Sequence, residues 1–365
     1  MKWSWRLGQF AGISVYVHAT FLILVGWVAL THWMDGESVS HVVSGVVFIL
    51  ALFTCVLLHE FGHALAARRF GILTRDITLL PIGGLARLER MPDDPQQELV
   101  VALAGPAVTV LIAVTLYAWL QATAGWEPVG RLSVSSGSFI ERLMMVNVFL
   151  AAFNMIPAFP MDGGRVLRAL LAMRMDYARA TQHAANLGQG LALLFGLLGL
   201  LTNPFLIFIA FFVWIGAAQE ASHVQMTSAL AGIPIGQVMV TDFRTLESGD
   251  PLARAVELIL RGPHQDFPVV DDDRVVGVLT RNDLVLALSE RGQSSRVGDA
   301  MQRDFQVADS VEMLDKAFAR LQQCRCHTVP VTHDGRLVGL ITMDSLGEFL
   351  RIQAALHHPR GRIHA

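Results

Sequence analysis

Five stretches of the chain contain no Asp, Glu, Lys or Arg: residues 7–34, 38–59, 99–126, 143–161 and 180–219. A helix needs about 20 apolar residues to cross a bilayer. The first four stretches predict one crossing each. The fifth is twice as long and carries Thr202-Asn203-Pro204 at its middle, a turn signal that predicts two helices in a hairpin. Six transmembrane helices result. The segment 74–95 has an apolar centre, 77–88, too short to cross and broken by Pro81, Gly83 and Gly84. It predicts a strand-like hairpin, either re-entrant in the membrane or capping it from the cytoplasmic side.

From about residue 235 the pattern changes to short apolar runs between charged helical segments. A repeat of period 62 appears: Asp242-Phe243 matches Asp304-Phe305, Pro268 matches Pro330, Gly277 matches Gly339, and Thr280 matches Thr342. Each copy predicts helix, strand, charged turn, strand and helix. One copy alone leaves a sheet face bare, so two copies are expected to pack as a unit. The expected boundaries are a membrane domain at 1–222, a linker at 223–234, repeats at 235–292 and 293–350, and a tail at 351–365. The tail histidines His357, His358 and His364 receive no role.

Composition sharpens this picture. The chain is 53% hydrophobic and 16% charged, against about 25% charged in soluble domains. A wholly soluble enzyme and a disordered chain are both excluded. A net charge of −3 gives no nucleic-acid footprint. Three cysteines make no disulfide framework, which points to a reducing compartment. Lys2, Arg6, Arg68, Arg69, Arg165, Arg168, Arg174 and Arg179 all fall on one side if the N-terminus is cytoplasmic, and the opposite loops hold only Arg131. The expectation is a multi-pass cell-membrane protein with both termini in the cytoplasm.

Candidate chemistry sits inside the membrane half. The second stretch ends in His59-Glu60-Phe61-Gly62-His63. Residues four apart share a helix face, so two imidazoles can bind one metal ion beside a carboxylate that acts on its water. Five-residue patterns also arise by chance. A Glu flanked by two His in an apolar run is costly, however, unless paired or functional. A catalytic zinc usually takes a third protein ligand. The run Asn154-Met-Ile-Pro157-Ala-Phe-Pro160-Met-Asp162-Gly163-Gly164 breaks the fourth stretch, and Asp162 is its only carboxylate. Asp162 is a candidate ligand, with a helix cap as the alternative.

These two motifs together resemble the site-2 protease family of intramembrane zinc metalloproteases, peptidase family M50. Leu80-Pro81-Ile82-Gly83-Gly84, Ala104-Gly105-Pro106 and Gly12-Ile13-x-Val15-x-Val17-His18 add to the resemblance, the last to a branch with C-terminal CBS (cystathionine β-synthase type) domains. Thr109 departs from it, standing where many relatives have Asn. The resemblance implies Zn²⁺ on His59, His63 and Asp162, with Glu60 as general base for hydrolysis of a peptide bond in a membrane-embedded protein. Asn154 either steadies the oxyanion or substrate backbone, or makes a helix-breaking hydrogen bond. The implied fold is a polytopic α-helical membrane domain with a re-entrant β-hairpin, followed by a cytoplasmic α/β tandem CBS pair.

In the repeat, Gly277-Val-Leu-Thr280-Arg-Asn-Asp283 resembles the adenine-nucleotide segment of CBS pairs, with Asp283 at ribose and Thr280 near phosphate. The second copy has Ser345 where that Asp belongs. The pair thus senses a nucleotide through one site or serves as a homodimer interface. A CBS-gated transporter or channel is the alternative for the whole chain. Transport folds tend to repeat broken helices at matching positions, and here the break occurs once. His18 and Cys55 are expected to be structural, and Cys324-Arg-Cys326-His327 is read as sequence drift.

Overall fold

Strict alternation decides the fate of the first apolar stretch. Ile13, Val15 and Val17 are buried while Ser14, Tyr16 and His18 between them are half-buried. In the computed structural model they form β2 (Ile13–His18), paired antiparallel with β1 (Ser4–Phe10). Only then does helix α1 (Ala19–Met34) begin, with the His18 side chain accepting from the Thr20 amide as its N-cap. The stretch predicted as one crossing is therefore a strand followed by a helix of 16 residues, roughly 24 Å long. The structure describes residues 3–36, 38–92, 94–123, 137–262, 266–323 and 328–357. Lys2, the Arg131 loop, the Cys324-Arg-Cys326-His327 run, and the tail histidines His358 and His364 lie outside them.

The chain divides into units Met1–Val224 and Gln225–Ala365. In the first, helix α2 (Val39–Arg69) runs past the His-Glu-x-x-His motif to its basic last turn. The segment after it folds as the hairpin β3 (Thr74–Leu80) and β4 (Gly83–Leu88). Strand β3 pairs parallel with β2, which gives a four-stranded sheet in the order β1-β2-β3-β4. Ile13 and Ile77 on one face of that sheet pack on Ala64 of α2. On the hairpin, Arg87 donates to Asp76.

Helix α3 (Pro95–Thr123) follows, then α4 (Phe139–Asn154), which opens with a reciprocal cap between Ser138 and Glu141. The proline-rich break separates α4 from α5 (Asp162–Ala172). Helices α6 (Tyr177–Leu201) and α7 (Phe205–Leu230) form the predicted pair around Asn203, whose Oδ1 accepts from the Phe205 amide at 2.9 Å. Among the described residues four helices, α2, α3, α6 and α7, are long and apolar enough to cross a membrane. Helices α1 and α4, of 16 residues each, are shorter.

The second unit follows the repeat. Its first copy runs α8 (Leu252–Arg261), β5 (Phe267–Asp271), β6 (Arg274–Leu279) and α9 (Arg281–Arg291). After α10 (Val297–Ala300) and β7 (Ala308–Asp309), the second copy runs α11 (Leu314–Gln323), β8 (Thr328–His333), β9 (Arg336–Thr342) and α12 (Met343–His357). Each copy has its own buried core, one around Phe267 and Leu279 and one around Phe318 and Ile341. The leading segments cross over: Val240 bridges Leu340 of the second copy, and Gln302 bridges Val278 of the first. Both bridges obey the period of 62, so the copies are related by exchange.

Candidate metal centre

Helix α2 presents His59 and His63 one turn apart, and the break before α5 delivers Asp162 to them. His59 Nε2, His63 Nε2 and Asp162 Oδ2 are mutually 3.1 Å apart. All three residues are buried. Zinc bonds of about 2.0–2.1 Å in a tetrahedron set ligand atoms roughly 3.3 Å apart. The triangle matches one face of that tetrahedron. Among the described residues this is the one group of three or more metal-ligating side chains.

The donor atoms are turned inward by their other ends. His63 Nδ1 lies 2.8 Å from the Val101 carbonyl oxygen. A carbonyl only accepts, so Nδ1 carries the proton and Nε2 offers its lone pair. His59 Nδ1 lies 2.9 Å from Thr109 Oγ1. Both partners belong to α3. Gly105 lies between them in that helix, and a Cβ there would overlap the His63 ring. The room for the imidazole is thus made by a missing side chain.

Glu60 faces the sheet. Its Oε2 accepts the Ala86 amide of β4 at 3.2 Å. A Cβ on Gly84 would come 2.5 Å from Glu60 Cγ, so Gly84 lets the carboxylate lie against this strand. Asn154, the last residue of α4, is half-buried and makes no side-chain hydrogen bond to the three converging residues among those described. Cys55 is buried and free, outside the converging group. His18 is the cap of α1.

Asp162 opens α5, and Arg168 anchors the same helix. Arg168, counted in the charge pattern among the arginines of the cytoplasmic side, is fully buried. It donates to Glu98 of α3 and to Glu220 of α7, and its guanidinium lies 5.1 Å from the Phe159 ring centre and 5.0 Å from that of Tyr177. Sequence reasoning missed this cluster and the α3 partners of the histidines. The available signal was that Glu98 and Glu220 bound two of the charge-free stretches.

In the second unit Thr280 caps α9 and donates to Asp283 Oδ2 at 2.5 Å. Gln302, from the crossing segment, donates to the same oxygen at 2.7 Å. In the other copy Thr342 and Ser345 exchange hydrogen bonds with each other's amides at 3.1 and 3.0 Å. The two predicted nucleotide residues therefore lie together, and they also serve as a helix cap.

The model of peptidase family M50 matches residues 47–141 and 129–197, and that of the CBS domain matches 235–290 and 297–351. The chain is 30% identical over 343 residues to a zinc metalloprotease of Methanocaldococcus jannaschii, spanning 94% of each protein. It is 29% identical over 380 residues to a candidate zinc metalloprotease of Synechocystis, spanning 96% of each. Among solved structures, a site-2 protease from Methanocaldococcus jannaschii is 36% identical with a TM-score of 0.45, covering 60% of this chain and 95% of that one.

Proposed function

The chain belongs to peptidase family M50 and is a zinc metalloprotease of the site-2 type with a tandem CBS pair, and on that premise we propose that His59, His63 and Asp162 hold the zinc and Glu60 is the general base. The observation that carries this reading is the 3.1 Å triangle of two imidazole nitrogens and one carboxylate oxygen. Two neutral nitrogens and one anionic oxygen are a donor set suited to zinc. A gated transporter has no support in these matches.

Zinc held by these residues would supply Lewis acidity to the scissile carbonyl and would acidify water. Glu60 accepts the proton of the attacking water and passes it to the leaving amine nitrogen. His59 and His63 each have Nδ1 hydrogen-bonded on the side away from the metal position. Asn154 ends the helix that leads into the break, and its amide donates to the substrate backbone or the developing oxyanion.

The substrate is a membrane-embedded protein whose helix must unwind to expose a carbonyl. Strand β4 lies at the edge of the sheet and beside Glu60, so strand addition there would bring an unwound segment to the base. In this reading β3 and β4 are re-entrant, α1 and α4 complete six crossings, and both termini are cytoplasmic. The domains run 1–222, 235–292 and 293–350, with a linker at 223–234 and a tail at 351–365. The CBS pair senses an adenine nucleotide through Thr280 and Asp283, and supports a homodimer.

Zinc content of the detergent-purified chain tests the ligand set. Wild type is expected to hold about one zinc per chain, and His59→Ala, His63→Ala and Asp162→Ala to lose it. Retention of zinc by all three variants would place the metal elsewhere.

A further inference from the structure

We propose that Thr109 is a positioning residue for His59, its hydroxyl accepting the Nδ1 proton so that Nε2 faces the metal position. The inference rests on the zinc site proposed above. Thr109 is buried in α3, 2% exposed. Its Oγ1 lies 2.9 Å from His59 Nδ1 and 3.4 Å from the Gly105 carbonyl oxygen. A threonine hydroxyl has one proton, and inside a helix it is commonly given to the carbonyl four residues back. The carbonyl of Gly105 can only accept. With its proton so directed the oxygen presents lone pairs to the imidazole, the arrangement in which Nδ1 is the protonated nitrogen.

The two histidines are thus held alike from one helix, His63 by a main-chain carbonyl and His59 by a side-chain hydroxyl. The carbonyl at Val101 is present whatever side chain stands there. The acceptor at Thr109 depends on residue type, so it can be removed by substitution. Removing it leaves a buried N–H without a partner and frees the ring to take the other tautomer.

Packing and hydrogen bonding predict opposite rankings. Thr109→Val keeps the shape and removes the acceptor; Thr109→Ser keeps the acceptor and removes a methyl group. Zinc affinity is measured on the full chain in detergent by competition with a chromogenic chelator, alongside the melting temperature of the metal-free protein. Thr109→Val is expected to weaken zinc binding by about 10- to 100-fold, with Thr109→Ser near wild type. If Thr109→Val is not recovered folded, Thr109→Ser decides alone, with wild-type zinc affinity expected despite its lost methyl group. Wild-type affinity in the variant lacking the acceptor, or an equal loss in Thr109→Ser, overturns the proposal. A wild-type chain that binds no zinc overturns the proposed site itself, which separates the two failures.

Discussion

Arg168 Nε donates to Glu98 Oε1 at 2.8 Å, joining α5 to α3 at a point that neither side chain shares with solvent. The helix so anchored begins with Asp162. Removing one partner of a buried pair leaves an uncompensated charge and costs about 3–5 kcal/mol. Arg168→Met is therefore expected to lower the unfolding free energy by about that amount, read by denaturant unfolding in detergent without metal. Arg168→Lys should recover only part of it, because an ammonium lacks the fork that reaches Glu98 and Glu220 together. A loss as small as that of an exposed salt bridge, about 0–1 kcal/mol, contradicts the role given to this cluster.

Gly105 gives a second expectation. Glycine in a helix interior costs up to about 1 kcal/mol relative to alanine, so Gly105→Ala would ordinarily stabilise α3. Here the new Cβ meets the His63 ring. Gly105→Ala is expected to lose zinc and lower the melting temperature. Zinc analysis and thermal unfolding on one preparation check both, and a more stable, fully loaded variant would show that the ring has room to spare.

Gly84 separates the base from the metal ligands. A Cβ at this position has atoms of the Glu60 side chain as its three nearest neighbours. Gly84→Val should keep its zinc and lose most peptide-bond cleavage. Loss of zinc in that variant would mean that the strand also holds the ligand triangle.

The features readable in the sequence are those that depend on residue type at fixed spacing. His59 and His63 stand four apart on one helix, and Asp162 is the only acid in a run broken by Pro157 and Pro160. The repeat was legible because 62 residues separate equivalent turns, such as those carrying Thr280 and Thr342. What stayed hidden is contact across distant segments. Val101 acts through a carbonyl that any residue would supply. Arg168 has the same formal charge as Arg165, and only the meeting of Glu98 and Glu220, far apart in sequence, buries it. The first apolar stretch carries two signals at once. Its lack of charge predicted a crossing, while the alternation of Ile13, Val15 and Val17 marked a strand.

Asp283 and Ser345 make the CBS pair asymmetric, and the prediction for nucleotide binding follows from that. Isothermal titration of the full chain with AMP or ATP should show one site per chain, abolished by Asp283→Ala and unaffected by Ser345→Ala. Gln302 holds the same carboxylate oxygen as Thr280, so Gln302→Ala, which removes one of that oxygen's two donors, should change nucleotide affinity. Equal binding by wild type and Asp283→Ala would leave Thr280 and Asp283 as a helix cap alone.

The most direct test of the central claim compares wild type with Glu60→Gln for zinc content and for cleavage of a helical membrane substrate in the same detergent preparation. The substitution preserves the ligand triangle and removes the proton acceptor. Wild type is expected to hold about one zinc per chain and to cut, and Glu60→Gln to hold the same zinc and not cut. Cleavage by Glu60→Gln at the wild-type rate, or a wild type that cuts without zinc, would contradict it.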